Sequence, residues 1–269
     1  MTSATQERTD SGVYVFAPII ERFTYAKPFR GDEAKGIYDE VKQRVAKDFP
    51  DVSDFNNYFM FNEETGEING SNTKYCILVN KELIKSGLWL PTVKEGRQLD
   101  ADGKLSNGVY REYGIVVYDG SNPNSEIAKV FVQEAKKRNL ELPLVLPFSA
   151  LNLKRKTGAI IPYKEMQGFK CGEEARNILD QFNYKANSSV RRLSRGGGGD
   201  WCAFGGGLAG SGTDGQVDFV CGEATRENLE GIILEEVEDI GREGLAKVNE
   251  RISLAKQSAR SILRGGEII

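Results

Sequence analysis

Ten lysines and arginines stand against four acidic residues between positions 151 and 195, a local charge of +6 in a chain whose net charge is -3. Lys154, Arg155 and Lys156 open this block, and Arg191, Arg192 and Arg195 close it. Tyr163, Phe169, Phe182 and Tyr184 lie among the charges. Basic side chains neutralise phosphates and release counterions, and aromatic faces stack on unpaired bases. Lys154, Arg155, Lys156, Tyr163, Phe169, Arg191, Arg192 and Arg195 are therefore the candidate nucleic-acid contacts, with single-stranded DNA or RNA as the expected partner. The plainer alternative is a solvated basic face paired with the next stretch, since residues 196–239 carry ten acidic side chains and one basic one.

The chain of 269 residues has no histidine. Ser-His-Asp and Cys-His catalysis, HExxH zinc sites and histidine-held haem are excluded. A general base would have to be Asp, Glu, Lys, Tyr or Cys. Cys76, Cys171, Cys202 and Cys221 show no CxxC spacing, so neither a zinc ribbon nor a redox pair is read here. Four scattered cysteines fit a reducing compartment, and a cytoplasmic protein is expected. No catalytic residue, metal ligand or cofactor is assigned on these grounds.

Two segments invite closer reading. Phe169–Leu179 (FKCGEEARNIL) and Phe219–Leu229 (FVCGEATRENL) agree at six of 11 positions without a gap. Each reads as a strand end, a glycine turn and a helix start, with Glu173 or Glu223 near the positive helix terminus. Between them, nine glycines fall between Arg195 and Gly212. Gly205, Gly207 and Gly210 satisfy GxGxxG, but the following Ser-Gly-Thr-Asp-Gly cannot open a helix, so no dinucleotide site is read. A Walker loop is excluded because no lysine is present. A loop anchored by Trp201, Cys202 and Phe204 remains.

Stepping outward, Ile115-Val116-Val117 is an apolar run broken at Asp119-Gly120. A helix pattern over 125–139 follows, with Ile127, Val130, Phe131 and Ala135 on one face, and then a second apolar run over 142–148. Strand, helix and strand, both strands apolar on both faces, read as a parallel βαβ unit near 109–148. Pro143 and Pro147 favour an edge or irregular second strand. The corner from Ile115 to Glu126 (IVVYDGSNPNSE) resembles the strand–Asp–loop–Glu–helix corner of the nucleoside deoxyribosyltransferases, over about 30 of the 269 residues. That resemblance implies Glu126 as a glycosidic nucleophile and Asp119 as a positioning group. The family's Gly-Thr before the glutamate is absent.

The remaining elements complete the frame. Asp32 is expected to cap a helix to about Asp48, with Ile37, Val41 and Val45 on one face. Residues 74–79 read as a short strand, Asn80 as a helix cap, and 91–108 as an exposed loop. From Leu245, the positions Val248, Ile252, Ala255, Ala259 and Ile262 continue an a/d seam. The fold is expected to be α/β or α+β, with a mixed sheet and a helical C-terminal extension. Residues 1–11 read as a flexible tail, 12–165 as the main domain, and 166–269 as a C-terminal region with a glycine-rich loop at 195–215 and a long helix at 223–264. The polar N-terminus has no apolar run, so no secretory leader or membrane span is expected. The leading functional expectation is a non-catalytic, homo-oligomeric nucleic-acid-binding protein. The alternatives are a nucleoside- or nucleotide-processing enzyme with a glutamate nucleophile, and a structural self-assembly protein.

Overall fold

A computed structural model describes residues 6–8, 14–16, 23–70, 72–118, 126–164, 166, 168–184, 190–203, 208, 214–224 and 253. The chain divides into two compact units, one of residues 1–23 with 223–269 and one of residues 24–222. The first holds an antiparallel pair, β1 (Gln6–Arg8) with β2 (Tyr14–Phe16). Part of the expected tail is thus paired strand. The seam from Leu245 to Ile262 lies outside the described residues, except for Ser253, which is helical and exposed.

The second unit has an α+β fold. After β3 (Phe23–Pro28), α1 spans Asp32–Asp48, with Ala34 and Val41 buried and Ile37 and Val45 packed against the core. Phe49, 3% exposed, closes it. Strands β4 (Met60–Asn62) and β5 (Glu67–Asn69) form a hairpin. Then comes α2, Thr73–Ile84, capped by Asn72, whose side chain accepts the Tyr75 N–H at 2.8 Å. The sequence predicts a strand over 74–79, and the structure corrects it to helix. Every residue from Thr73 to Asn80 is buried, so no polar face marks the 3.6-residue period. After β6 (Leu88–Trp89), α3 (Val93–Ala101) occupies part of the expected loop. Thr92 and Glu95 form a reciprocal capping box at its start.

The main sheet is built around β7 (Arg111–Val117), buried along its whole length. Next come α4 (Glu126–Lys137), β8 (Leu144–Leu146), β9 (Leu151–Leu153), β10 (Ile160–Pro162), β11 (Lys170–Cys171), α5 (Gly172–Leu179) and β12 (Asn183–Tyr184). The described elements end with β13 (Val190–Arg195), β14 (Trp201–Ala203), β15 (Gln216–Val217) and β16 (Phe219–Ala224). The main sheet has the order β11-β8-β7-β13-β14-β12 and is mixed, because β12 and β14 run parallel. Strand, helix and strand do follow one another where the sequence places them. However, β7 and β8 pair antiparallel, Ile115 opposite Leu146 and Val117 opposite Leu144, so the parallel reading is corrected. Burial on both faces produces an apolar run in either direction of pairing, and β7 has a packed core on each side. The two prolines flank β8 rather than place it at an edge, since β11 pairs along its other side.

A bulge in β7 decides which side chains meet α2. Leu193 pairs with Gly114 and Ser194 with Glu112, skipping Tyr113. The extra residue shifts the alternation, so Tyr113 and Val116 join one core while Ile115 and Val117 join the other. Gly114 holds φ +123, and a Cβ there would lie 2.2 Å from the Leu146 carbonyl oxygen, so only glycine fits.

Candidate functional site

The predicted contacts divide in two. Arg195 is 4% exposed, pairs with Asp100 at 2.9 Å, and donates to the Ser106 carbonyl and the Asn107 side chain. Arg192 pairs with buried Glu112 at 3.2 Å and lies over the Tyr110 ring. Arg191 is half-buried in the same strand. Because β13 lies between β7 and β14, its side chains face packed layers rather than solvent. Phe169 is also half-buried and packs against the main core. Lys154, Arg155 and Lys156, by contrast, are exposed on the turn between β9 and β10. Arg155 (side chain 79% exposed) and Tyr163 (41% exposed) line adjoining hollows.

These hollows lie where α1 and α2 meet β9 and the turn after it. Lys81, Ile84 and Lys85 sit at i, i+3 and i+4 of α2 and so share one face of the helix, the one it does not bury. Arg44 comes from α1 and is common to both hollows, as is Lys81. One hollow, of about 330 Å³, is walled by Ile84, Phe148, Leu151 and Tyr163, with Lys85 at its side. The other, of about 290 Å³, is bounded by Arg155, Asp48 and Asn152. The β9–β10 turn is tied down: the Lys156 N–H donates to the Asp48 carbonyl at 3.0 Å, and the Gly158 N–H to that of Lys154 at 2.9 Å. Gly158 has φ +61, and a Cβ there would meet Val52 at 2.9 Å. This geometry carries Arg155 to the end of α1.

Positive charge prevails in the cleft. Glu82, with a side chain 3% exposed, bridges Arg44 at 2.6 Å and Lys85. Arg155 lies 3.6 Å from Asp48, and Lys81 donates to the Asn152 side-chain oxygen. Four cations thus stand against two carboxylates. Burial lowers the pKa of Lys81, and the charges of Arg44 and Arg155 lower it further against the pull of Glu82 and Asp48. The arrangement suits an anion with an apolar, flat appendage. Sequence reading misses Arg44, Lys81 and Lys85. The i, i+4 lysines were a usable signal, hidden because the first half of α2 read as strand.

The other clusters offer less room. Glu112 accepts from the Thr73 hydroxyl at 2.6 Å, and burial raises its pKa to about 7 against the counter-pull of Arg192. A hollow of about 20 Å³ beside Cys76 and Glu112 has space for about one water. Glu126 is the first residue of α4, 86% exposed and bonded to Lys129 at 2.7 Å, so no pocket wall surrounds its carboxylate. Asp119 lies outside the described residues. The repeat does not make equivalent corners. Cys171 ends β11 and caps α5, with Glu173 in the first turn, whereas Cys221 lies inside β16, which runs on through Glu223. Gly172, at φ +54, makes the corner in the first copy, whereas Gly222 continues a strand paired with Leu88. In the glycine-rich segment, residues 196–200 form the turn between β13 and β14, and 204–207 and 209–213 lie outside the described residues.

Among the described residues no group of His, Cys, Asp and Glu could hold a metal ion, and no helix is long and apolar enough to cross a membrane. No protein-family model, curated protein or solved structure matches the chain.

Proposed function

We propose that the protein binds single-stranded nucleic acid along the cleft between α1, α2 and the β9–β10 turn. The observation that carries this reading is the meeting of Arg44, Lys81, Lys85 and Arg155 with exposed Tyr163 and Ile84 in one concavity. Cations there would hold phosphates, and the Tyr163 ring offers a stacking face for an unpaired base. A hollow of this size admits a splayed nucleotide and not a duplex. The reading keeps Arg155 and Tyr163 from the sequence-based set, adds three residues from the helices, and leaves the β13 arginines to the protein's interior. The test is binding of a labelled single strand across a salt series. Arg155→Ala should weaken binding and reduce the salt slope by about 1, as expected for one lost phosphate contact. Tyr163→Ala should cost about 1–3 kcal/mol with the slope unchanged. Full-strength binding by an Arg155→Ala, Lys85→Ala double variant that still folds would refute the proposal.

A further inference from the structure

We infer that the cleft is a seat for one nucleotide bearing a phosphate monoester, with the base against Tyr163 and the phosphate between Arg44, Lys81 and Arg155. The inference rests on the nucleic-acid reading above and narrows it to a phosphorylated strand end or a free mononucleotide. Three observations carry it.

The first is division of labour between two hollows that share Arg44 and Lys81. The larger has apolar walls in Ile84, Phe148, Leu151 and Tyr163, and the smaller is bounded by cations. Their volumes, about 330 and 290 Å³, are at the lower end of ordinary ligand sites, which run from roughly 300 Å³. A base and its adjacent phosphate have this pairing of apolar face and anion.

The second is exposed apolar surface. Among the described residues the exposed large apolar side chains are Met60, Ile84, Val130 and Tyr163, and two of these four rim the larger hollow. Exposed apolar groups gathered beside concentrated charge suit a ligand that is itself half apolar.

The third is charge balance. Arg44, Lys81, Lys85 and Arg155 against Asp48 and Glu82 leave an excess of two positive charges. An internal phosphodiester brings one negative charge. A phosphate monoester brings nearly two above its second pKa of about 6. The dianion matches the excess. It would also relieve the repulsion that Arg44 and Arg155 exert on the Lys81 ammonium.

The experiment compares labelled single strands ending in a 5′-phosphate, a 3′-phosphate or hydroxyls only, with adenosine monophosphate as competitor. A phosphorylated end should bind about tenfold tighter at pH 7.5 than a hydroxyl end, and the advantage should shrink below pH 6 as the phosphate regains its proton. Arg155→Ala should abolish that preference. Tyr163→Ala should weaken all strands by one common factor, leaving the preference intact. Displacement by adenosine monophosphate would identify the free mononucleotide as a ligand, and its failure to displace would identify the strand end. Equal affinity for phosphate and hydroxyl ends would overturn the inference while leaving nucleic-acid binding in place. Binding of adenosine monophosphate without any strand would uphold the nucleotide seat and remove the nucleic-acid reading. No binding of any probe would overturn both.

Discussion

Glu112 shows how one buried side chain ties this fold to pH. It lies under α2, accepting from Thr73 and paired with Arg192. Burial raises its pKa from 4.5 to about 7, and the Arg192 charge and the two hydrogen bonds only partly offset this. In the unfolded chain the carboxyl loses its proton near 4.5, while in the folded chain it keeps it until about 7. Between those values the folded state binds more protons, so raising the pH favours unfolding by up to about 1.4 kcal/mol per pH unit. Stability is therefore expected to decline from pH 5 toward pH 7 relative to a Glu112→Gln variant, whose amide has no proton to lose. Denaturant titrations of both proteins at several pH values read the difference directly. Parallel curves would mean that Glu112 ionises as an ordinary carboxylate.

Among the elements, α3 gives the sharpest check on local design. Its capping box joins the Thr92 side chain to the Glu95 N–H and the Glu95 carboxylate to the Thr92 N–H at 2.8 Å. Thr92→Ala should cost about 0.5–2 kcal/mol, measured as a shift in the denaturation midpoint. The Thr-x-x-Glu signature was present in the sequence, but the surrounding Gly, Asp and Lys composition masked it. The helices that show one buried stripe, α1 and α4, were legible from periodicity. The one buried nearly all round, α2, was not, because periodicity needs a polar face to contrast with. Strand positions for β7 and β8 were legible, and their direction was not, since two-sided burial hides orientation. The cleft inherits this split. Arg155 and Tyr163 lie close in sequence and could be grouped by eye. Arg44 and Lys81 come from separate helices and meet them only through packing of α2 against β9 and the turn before it. The second copy of the Cys-Gly-Glu repeat looked like a corner because its residues match. Gly222 forms no turn there, since Cys221 and Gly222 are held in register opposite Trp89 and Leu88.

At the scale of the whole chain, the residues of both buried cores fall between Phe29 and Val220, inside the unit of residues 24–222. The cleft lies within the same unit. A chain of residues 23–224, which keeps β3 and β16 entire, is therefore expected to unfold in one cooperative transition. Its charge bears on binding. Residues 23–224 hold 27 basic and 27 acidic side chains, so the excised segments account for the net charge of -3. At physiological salt the Debye length is about 8 Å, so charges remote from the cleft act weakly on a ligand inside it. Affinity for a single strand at that salt should then stay within roughly twofold of the full chain's, with any gain confined to low salt, where screening is weaker. Calorimetry and a salt series on the two chains provide the comparison. A cooperative shortened chain that loses binding at physiological salt would place necessary contacts in residues 1–22 or 225–269. A shortened chain without a cooperative transition would show that the two cores need those segments to fold.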